Sequence, residues 1–195
     1  TSIGDYSFYG CSSLAQILIP SSVTSIGGCA FSECSSLKQI SFDTPSSLFS
    51  IKDFTFYRCS SLKQISIPSS VTSIGNFAFF KNSSLTQITF DVPSSLTTIR
   101  GGAFVECLSL KQISIPPSVT SIQHSAFFGC PLLTKKSIPS SAKFFFDNFS
   151  GYGPFKKIIY YNNIWMNELK LNNNFELITQ ITIPSSTKLI ENSMF

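Results

Sequence analysis

The chain has 195 residues, 43% of them hydrophobic, 14% aromatic and only 12% charged, with a net charge of +4. That balance excludes a disordered segment, and Lys-Lys pairs confined to 135–136 and 156–157 exclude the clustered basic stripe of a nucleic-acid binder. No apolar run approaches the roughly 18 residues of a membrane-spanning helix, and neither an initiating Met nor a signal-peptide pattern marks a compartment.

Taken in chain order, the sequence repeats itself. It opens inside a unit, since TSIGDYSF at 1–8 matches TSIGNFAF at 72–79. A strand signature, Leu-x-x-Ile-x-(Ile/Phe), then recurs as Leu14-Ile17-Ile19, Leu37-Ile40-Phe42, Leu62-Ile65-Ile67, Leu85-Ile88-Phe90 and Leu110-Ile113-Ile115. Steps of 23, 25, 23 and 25 residues separate those leucines. The longer steps arise because IPSSV at 19–23 and 67–71 becomes FDTPSSL at 42–48 and FDVPSSL at 90–96. A double repeat of 48 residues therefore overlies the single one. Residues two apart on a strand share a face, so each signature points its last two apolar residues inward. The Pro that follows Ile19, Ile67 and Ile115 removes a ladder donor and stops the strand at a corner.

After each strand come an Ile column (Ile3, Ile26, Ile51, Ile74, Ile99, Ile122) and a Phe column (Phe8, Phe31, Phe56, Phe79, Phe104, Phe127). Beyond 130 the pattern decays but keeps its spacing. Lys136 stands where an inward Ile belongs, Phe155-KKII-Tyr160 and Ile178-TQIT-Ile183 recover the strand pattern, and IPSST resumes at 183. This predicts about eight strand positions: regular repeats over 1–133, degenerate repeats with an irregular insertion over 134–177, and a regular unit resuming over 178–195. A unit this short cannot bury its own apolar face, so neighbours stack into a solenoid with one continuous core. Rungs about 4.8 Å apart give a span of about 35–40 Å.

The unit, roughly LxxIxIPxxVTSIGxxAFxxC, resembles the treponemal-type leucine-rich repeat of BspA-like surface proteins, found in oral anaerobic bacteria and expanded in parasitic protists such as trichomonads and Entamoeba. The resemblance covers 1–133 at nearly every motif position, weakens over 134–177 and returns at 178–195. It implies a right-handed leucine-rich-repeat superhelix with a parallel sheet on the concave side and extended or short helical segments on the convex side. It also implies a cell-surface or secreted protein concerned with adhesion, without catalytic residues or cofactors.

Three groups of residues bear on function. Cys11, Cys34, Cys59, Cys107 and Cys130 share one repeat position with Asn82. Exchange with Asn beside small serines reads as a structural ladder of buried thiols, with Asn82 hydrogen-bonding loop backbone. A disulfide involving the off-ladder Cys29 and a metal site are the alternatives, although Cys29-x4-Cys34 has no His at zinc spacing. Hydrolytic catalysis would need a base beside a nucleophile. The one histidine, His124, falls in a variable column with Asp5, Gly28, Asp53, Asn76 and Gly101.

The third group is the outward face of the long strands. Gln16, Gln39, Gln64, Gln87 and Gln112 form one column, continued by Gln180; Ser41, Ser66, Thr89 and Ser114 form a second beside Leu18; Lys38, Lys63 and Lys111 form a third with Lys156. Amide ladders that keep a sheet soluble are the plain reading, and a hydrogen-bonding surface for a protein or glycan is the functional one. Glu33 with Arg58 and Lys81 with Glu106 are expected cross-rung pairs, each contributing about 0–1 kcal/mol. Asn82-Ser-Ser and Asn148-Phe-Ser fit the glycosylation sequon, with Asn148 the better acceptor. The expected function is a non-enzymatic adhesion module contacting a host or microbial surface protein or glycan. An intracellular scaffold of the same fold is the alternative, and exposed sheet edges allow end-to-end self-association.

Overall fold

A computed structural model describes residues 1–133 throughout, together with the strand backbone at 135–137, 143–144, 160–161 and 164–165. Among the described residues the chain winds as a solenoid of two parallel sheets. The long-strand sheet stacks β2 (Gln16–Ile19), β4 (Gln39–Phe42), β6 (Gln64–Ile67), β8 (Gln87–Phe90), β10 (Gln112–Ser114) and β12 (Lys135–Ser137). The opposite sheet stacks two-residue strands: β1 (Ser2–Ile3), β3 (Ser25–Ile26), β5 (Ser50–Ile51), β7 (Ser73–Ile74), β9 (Thr98–Ile99), β11 (Ser121–Ile122) and β13 (Lys143–Phe144).

Register follows the repeat. Gln16 pairs with Gln39, Gln39 with Gln64, Gln64 with Gln87 and Gln87 with Gln112. Lys136 is aligned with Ile113, at the position the spacing assigns to it. Burial alternates along the long strands, so that in β6 Gln64 and Ser66 face solvent while Ile65 and Ile67 are buried. Of the later strand positions, only Tyr160 and Lys135–Ser137 are described. Tyr160–Tyr161 (β14) pairs antiparallel with Ile164–Trp165 (β15), and not as a parallel rung. The remainder of 155–160 and all of 178–195 lie outside the described residues.

The expected helical alternative for the convex side is not found: no helix occurs among the described residues. The reason is a repeated turn with two left-handed residues per unit. Tyr6, Cys29, Phe54, Phe77, Gly102 and Ser125 form one such column with φ of 52–64°, and Gly10, Glu33, Arg58, Lys81, Glu106 and Gly129 form the other with φ of 56–70°. Left-handed residues at that spacing interrupt any helical run, and each costs a non-glycine residue about 1–2 kcal/mol. The cost is offset because identical turns stack. Glu33 N–H donates to the Tyr57 carbonyl at 2.7 Å, Arg58 N–H to Phe80 at 2.8 Å and Lys81 N–H to Val105 at 2.9 Å.

Between the sheets runs the core. Phe8, Phe31, Phe56, Phe79, Phe104 and Phe127 form one stack with ring centroids 5.0–5.6 Å apart. The Leu and Ile columns flank it, and Leu37, Leu62, Leu85 and Leu110 are fully buried.

The 48-residue double repeat has a structural consequence in the long sheet. Strands β2 and β4 pair over four residues, as do β6 and β8. By contrast β4 and β6 pair only at Gln39–Gln64, and β8 and β10 only at Gln87–Gln112 and Ile88–Ile113. The residue after each strand sets the last bond of each of these joins. Asp43 and Asp91 donate their N–H to the carbonyls of Ile19 and Ile67, both at 3.0 Å. In the alternate rungs that position is Pro68 or Pro116, which has no N–H to give to Phe42 or Phe90. The sheet is thus built in blocks of two rungs, closed within each block and open between blocks.

Candidate binding face

The outward residues of the long sheet lie together as the sequence arranged them. Gln16, Gln39, Gln64, Gln87 and Gln112 are all exposed, as are Lys38, Lys63, Lys111, Ser66, Thr89 and Ser114, while Ser41 is half-buried. Among the described residues, no side-chain hydrogen bond joins one column glutamine to the next, so the expected amide ladder does not form. Steric stacking sets the spacing, and each amide keeps its donors and acceptor for solvent or a ligand. Ser66 is committed elsewhere, its hydroxyl donating to Asp91 Oδ1 at 2.6 Å.

The open join between β8 and β10 forms a cleft of about 510 Å³. Gln87, Thr89, Gln112 and Ser114 contribute its polar lining; Phe90, Val92, Pro93, Pro116 and Pro117 contribute hydrocarbon. Four of the residues singled out in the sequence are therefore gathered at one concavity. The cleft itself was not anticipated, although its signal was present in the alternation of Asp and Pro after successive strands.

The cysteine position behaves as a structural ladder. Cys34, Cys59 and Cys107 are buried, Cys11 and Cys130 are half-buried, and all six cysteines, Cys29 included, are free thiols. The ladder has a bonding rule that the sequence did not reveal. Each thiol donates to the Phe carbonyl of the preceding rung: Cys34 to Phe8, Cys59 to Phe31 and Cys130 to Phe104 at 3.1 Å, and Cys107 to Phe79 at 3.2 Å. Burial pushes the Cys34 thiol up to about 11. Burial drives Cys59 and Cys107 in the same direction. Asn82 corrects the expectation made for it. It is fully buried, yet neither its Nδ2 nor its Oδ1 finds a hydrogen-bond partner. Its amide branches at the atom where cysteine carries one sulfur, and neither branch bonds to the Phe56 carbonyl that a thiol at this position would meet.

His124 is exposed, and its ring lies over Gly101, where a Cβ would come within 2.8 Å of it. Among the described residues, no Ser or Cys hydroxyl or thiol is hydrogen-bonded to that imidazole. Its column does different work. Asp5 Oδ1 accepts from Gly28 N–H and Asp53 Oδ1 from Asn76 N–H, both at 2.7 Å, and Asn76 Oδ1 accepts from Gly101 N–H at 3.1 Å. Short acceptors in that variable column therefore stitch one rung to the next.

The two expected ion pairs form, Glu33–Arg58 at 3.7 Å and Lys81–Glu106 at 3.5 Å. Arg58 also lies 5.3 Å from the Tyr57 ring centroid and Lys81 5.3 Å from that of Phe80. Those rings belong to a second aromatic stack on the turn, Phe54–Phe77 and Tyr57–Phe80, which the sequence reading passed over. Asn148 lies outside the described residues.

Comparison with known proteins agrees with this architecture. The family model described as a BspA type leucine rich repeat region matches residues 1–131 and 80–195, in six copies. Among solved structures, a leucine-rich-repeat protein of Treponema pallidum is 32% identical, with a TM-score of 0.67, over 74% of this chain and 66% of that one. One from Bacteroides ovatus is 31% identical, with a TM-score of 0.55, over 77% of this chain and 45% of that one. A leucine-rich cell surface protein of Faecalibacterium prausnitzii is 31% identical, with a TM-score of 0.54, over 70% of this chain and 42% of that one. The chain thus spans less than two thirds of the length of these relatives. A search of curated protein sequences gave no significant match. With six matching copies, the spacing of the long strands and the Cys and Phe columns all in agreement, this chain belongs to the BspA-type leucine-rich-repeat family.

Proposed function

We propose that the chain is a non-enzymatic binding module of a surface or secreted protein, contacting a protein or glycan of a host or neighbouring microbe through its long-sheet face. One observation carries this reading: three parallel columns of uncharged and basic polar side chains stand exposed and largely uncommitted, beside a cleft of about 510 Å³. Concave faces of solenoids are common binding surfaces because stacked rungs present regularly spaced groups on a rigid base. The similarity to a cell surface protein of F. prausnitzii supports the location.

The test is to replace Gln39, Gln64 and Gln87 with Glu and measure adhesion to host cells or extracellular matrix. Wild-type adhesion by a correctly folded triple variant would count against this face. Six free thiols favour a second reading, an intracellular scaffold. A signal peptide or membrane anchor in the full-length gene product would exclude it.

A further inference from the structure

The cleft between β8 and β10 is chemically selective. None of its lining residues carries an ionisable side chain, although Lys111 is the chain neighbour of Gln112. A charged ligand would lose hydration there without gaining a counter-charge. A purely apolar ligand would strip water from Gln87 and Gln112 and leave their amides unpaired. Those amides, with the hydroxyls of Thr89 and Ser114, both donate and accept, and among the described residues none has an internal side-chain partner. A sugar ring has the matching make-up: neutral, with adjacent hydroxyls that donate and accept, and C–H faces that sit against Pro and Val.

Recurrence adds length to this. The β4–β6 join is short as well, with Pro68 in place of Pro116 and Gln39 and Gln64 in place of Gln87 and Gln112. The two joins are two rungs apart, about 10 Å. A β-1,4-linked disaccharide extends over a comparable length.

We propose that the open joins between two-rung blocks bind an uncharged linear polysaccharide, with one disaccharide in register with each block. This rests on the long-sheet face being the binding surface and names its ligand class. Each Gln pair holds sugar hydroxyls, the Pro-rich corner supports the ring face, and the closed joins within blocks act as spacers.

The experiment is an isothermal and NMR titration of the full chain. The probes are cellohexaose and chitohexaose, their disaccharides, a heparin hexasaccharide and a proline decapeptide. At least one neutral hexasaccharide binds, and binds more tightly than its disaccharide. Gln87→Ala with Gln112→Ala weakens it about tenfold, the loss expected for a few hydrogen bonds. Ser114→Trp, which fills the cleft, gives the same loss, and Lys52→Ala with Arg100→Ala, exposed beside the opposite sheet, gives none. Circular dichroism and the urea midpoint confirm that each variant is folded.

Binding of no neutral sugar, wild-type affinity in both cleft variants, or binding of heparin or the decapeptide alone overturns the proposal. Equal affinity for disaccharide and hexasaccharide overturns the two-join register. Failure here is distinct from failure of the binding face. If the Gln39, Gln64 and Gln87 variant loses adhesion while no neutral sugar binds, the face stands and the ligand class falls.

Discussion

Asn82 is the residue at which the repeat departs from its own rule. At every other described rung beyond the first, the thiol at this position donates to the preceding Phe carbonyl. Asn82 carries two buried, unpartnered polar atoms in the same place. A buried polar group without a partner costs about 1–3 kcal/mol. Asn82→Cys removes that cost and supplies a donor for the Phe56 carbonyl, so urea unfolding should show a gain of about 1–3 kcal/mol. A variant no more stable than the parent would mean that Asn82 is satisfied after all. The thiols also set an alkaline limit. Burial holds Cys34 at about 11, so the folded chain keeps a proton that the unfolded chain loses near its ordinary value. That contribution is fully present below the unfolded value, about 8.5, and is lost as pH rises through the folded one. The urea midpoint should stay level from neutral pH to about 8 and fall between about 8.5 and 11. Cys34→Ser keeps a donor for Phe8 but does not titrate in this window, and should make the fall shallower. An unaltered slope would remove Cys34 from the explanation.

At the scale of the strand, one backbone donor adds the last tie between two rungs. Asp91 N–H ties β8 to β6 at 3.0 Å, whereas Pro116 leaves β10 untied from Phe90. Asp91→Pro should therefore convert the closed join into an open one, at a cost of about 1–3 kcal/mol for the buried carbonyl left unpaired. Asp91→Ala keeps the N–H and loses only the contact with Ser66, for about 0.5–1.5 kcal/mol. Equal losses in the two variants, measured by urea unfolding, would show that the side chain and not the backbone donor closes the join. This element also marks how far the sequence could be read. Strand positions and register were legible because Leu-x-x-Ile-x-Ile repeats with a fixed step and a one-residue slip would turn Gln64 inward. The openings were spelled out by Asp43, Pro68, Asp91 and Pro116, but only knowledge of which carbonyl each N–H meets gives those letters meaning. The turn was not legible as a turn. Its left-handed positions are occupied by Tyr6, Phe54, Phe77, Glu33 and Arg58, residues that carry no positive-φ signal, and stacking against identical turns holds them there.

At the scale of the molecule, every column among the described residues is one-dimensional. Phe79 stacks on Phe56 at 5.3 Å and on Phe104 at 5.2 Å, and the thiols, Asx acceptors and ion pairs likewise reach only adjacent rungs. Stability in such an array is a sum of rung terms and nearest-neighbour terms, so damage stays local until a block is lost. That arrangement made the candidate face readable from sequence as columns of Gln, Ser or Thr, and Lys. The cleft was hidden because it belongs to the joins between rungs and not to any residue type. Phe79→Ala should cost about 3–5 kcal/mol, the cost of emptying a buried aromatic site. The loss should also be unevenly distributed. Hydrogen exchange should accelerate most in β6, β8 and β10, less in β4, and least in β2, with the Phe8–Phe31 stack retaining its protection. Phe54→Ala, on the exposed turn stack, should cost about 1 kcal/mol and leave the same profile flat. A uniform rise in exchange from β2 to β10 in Phe79→Ala would mean that the solenoid unfolds as one unit, and the nearest-neighbour account would fall.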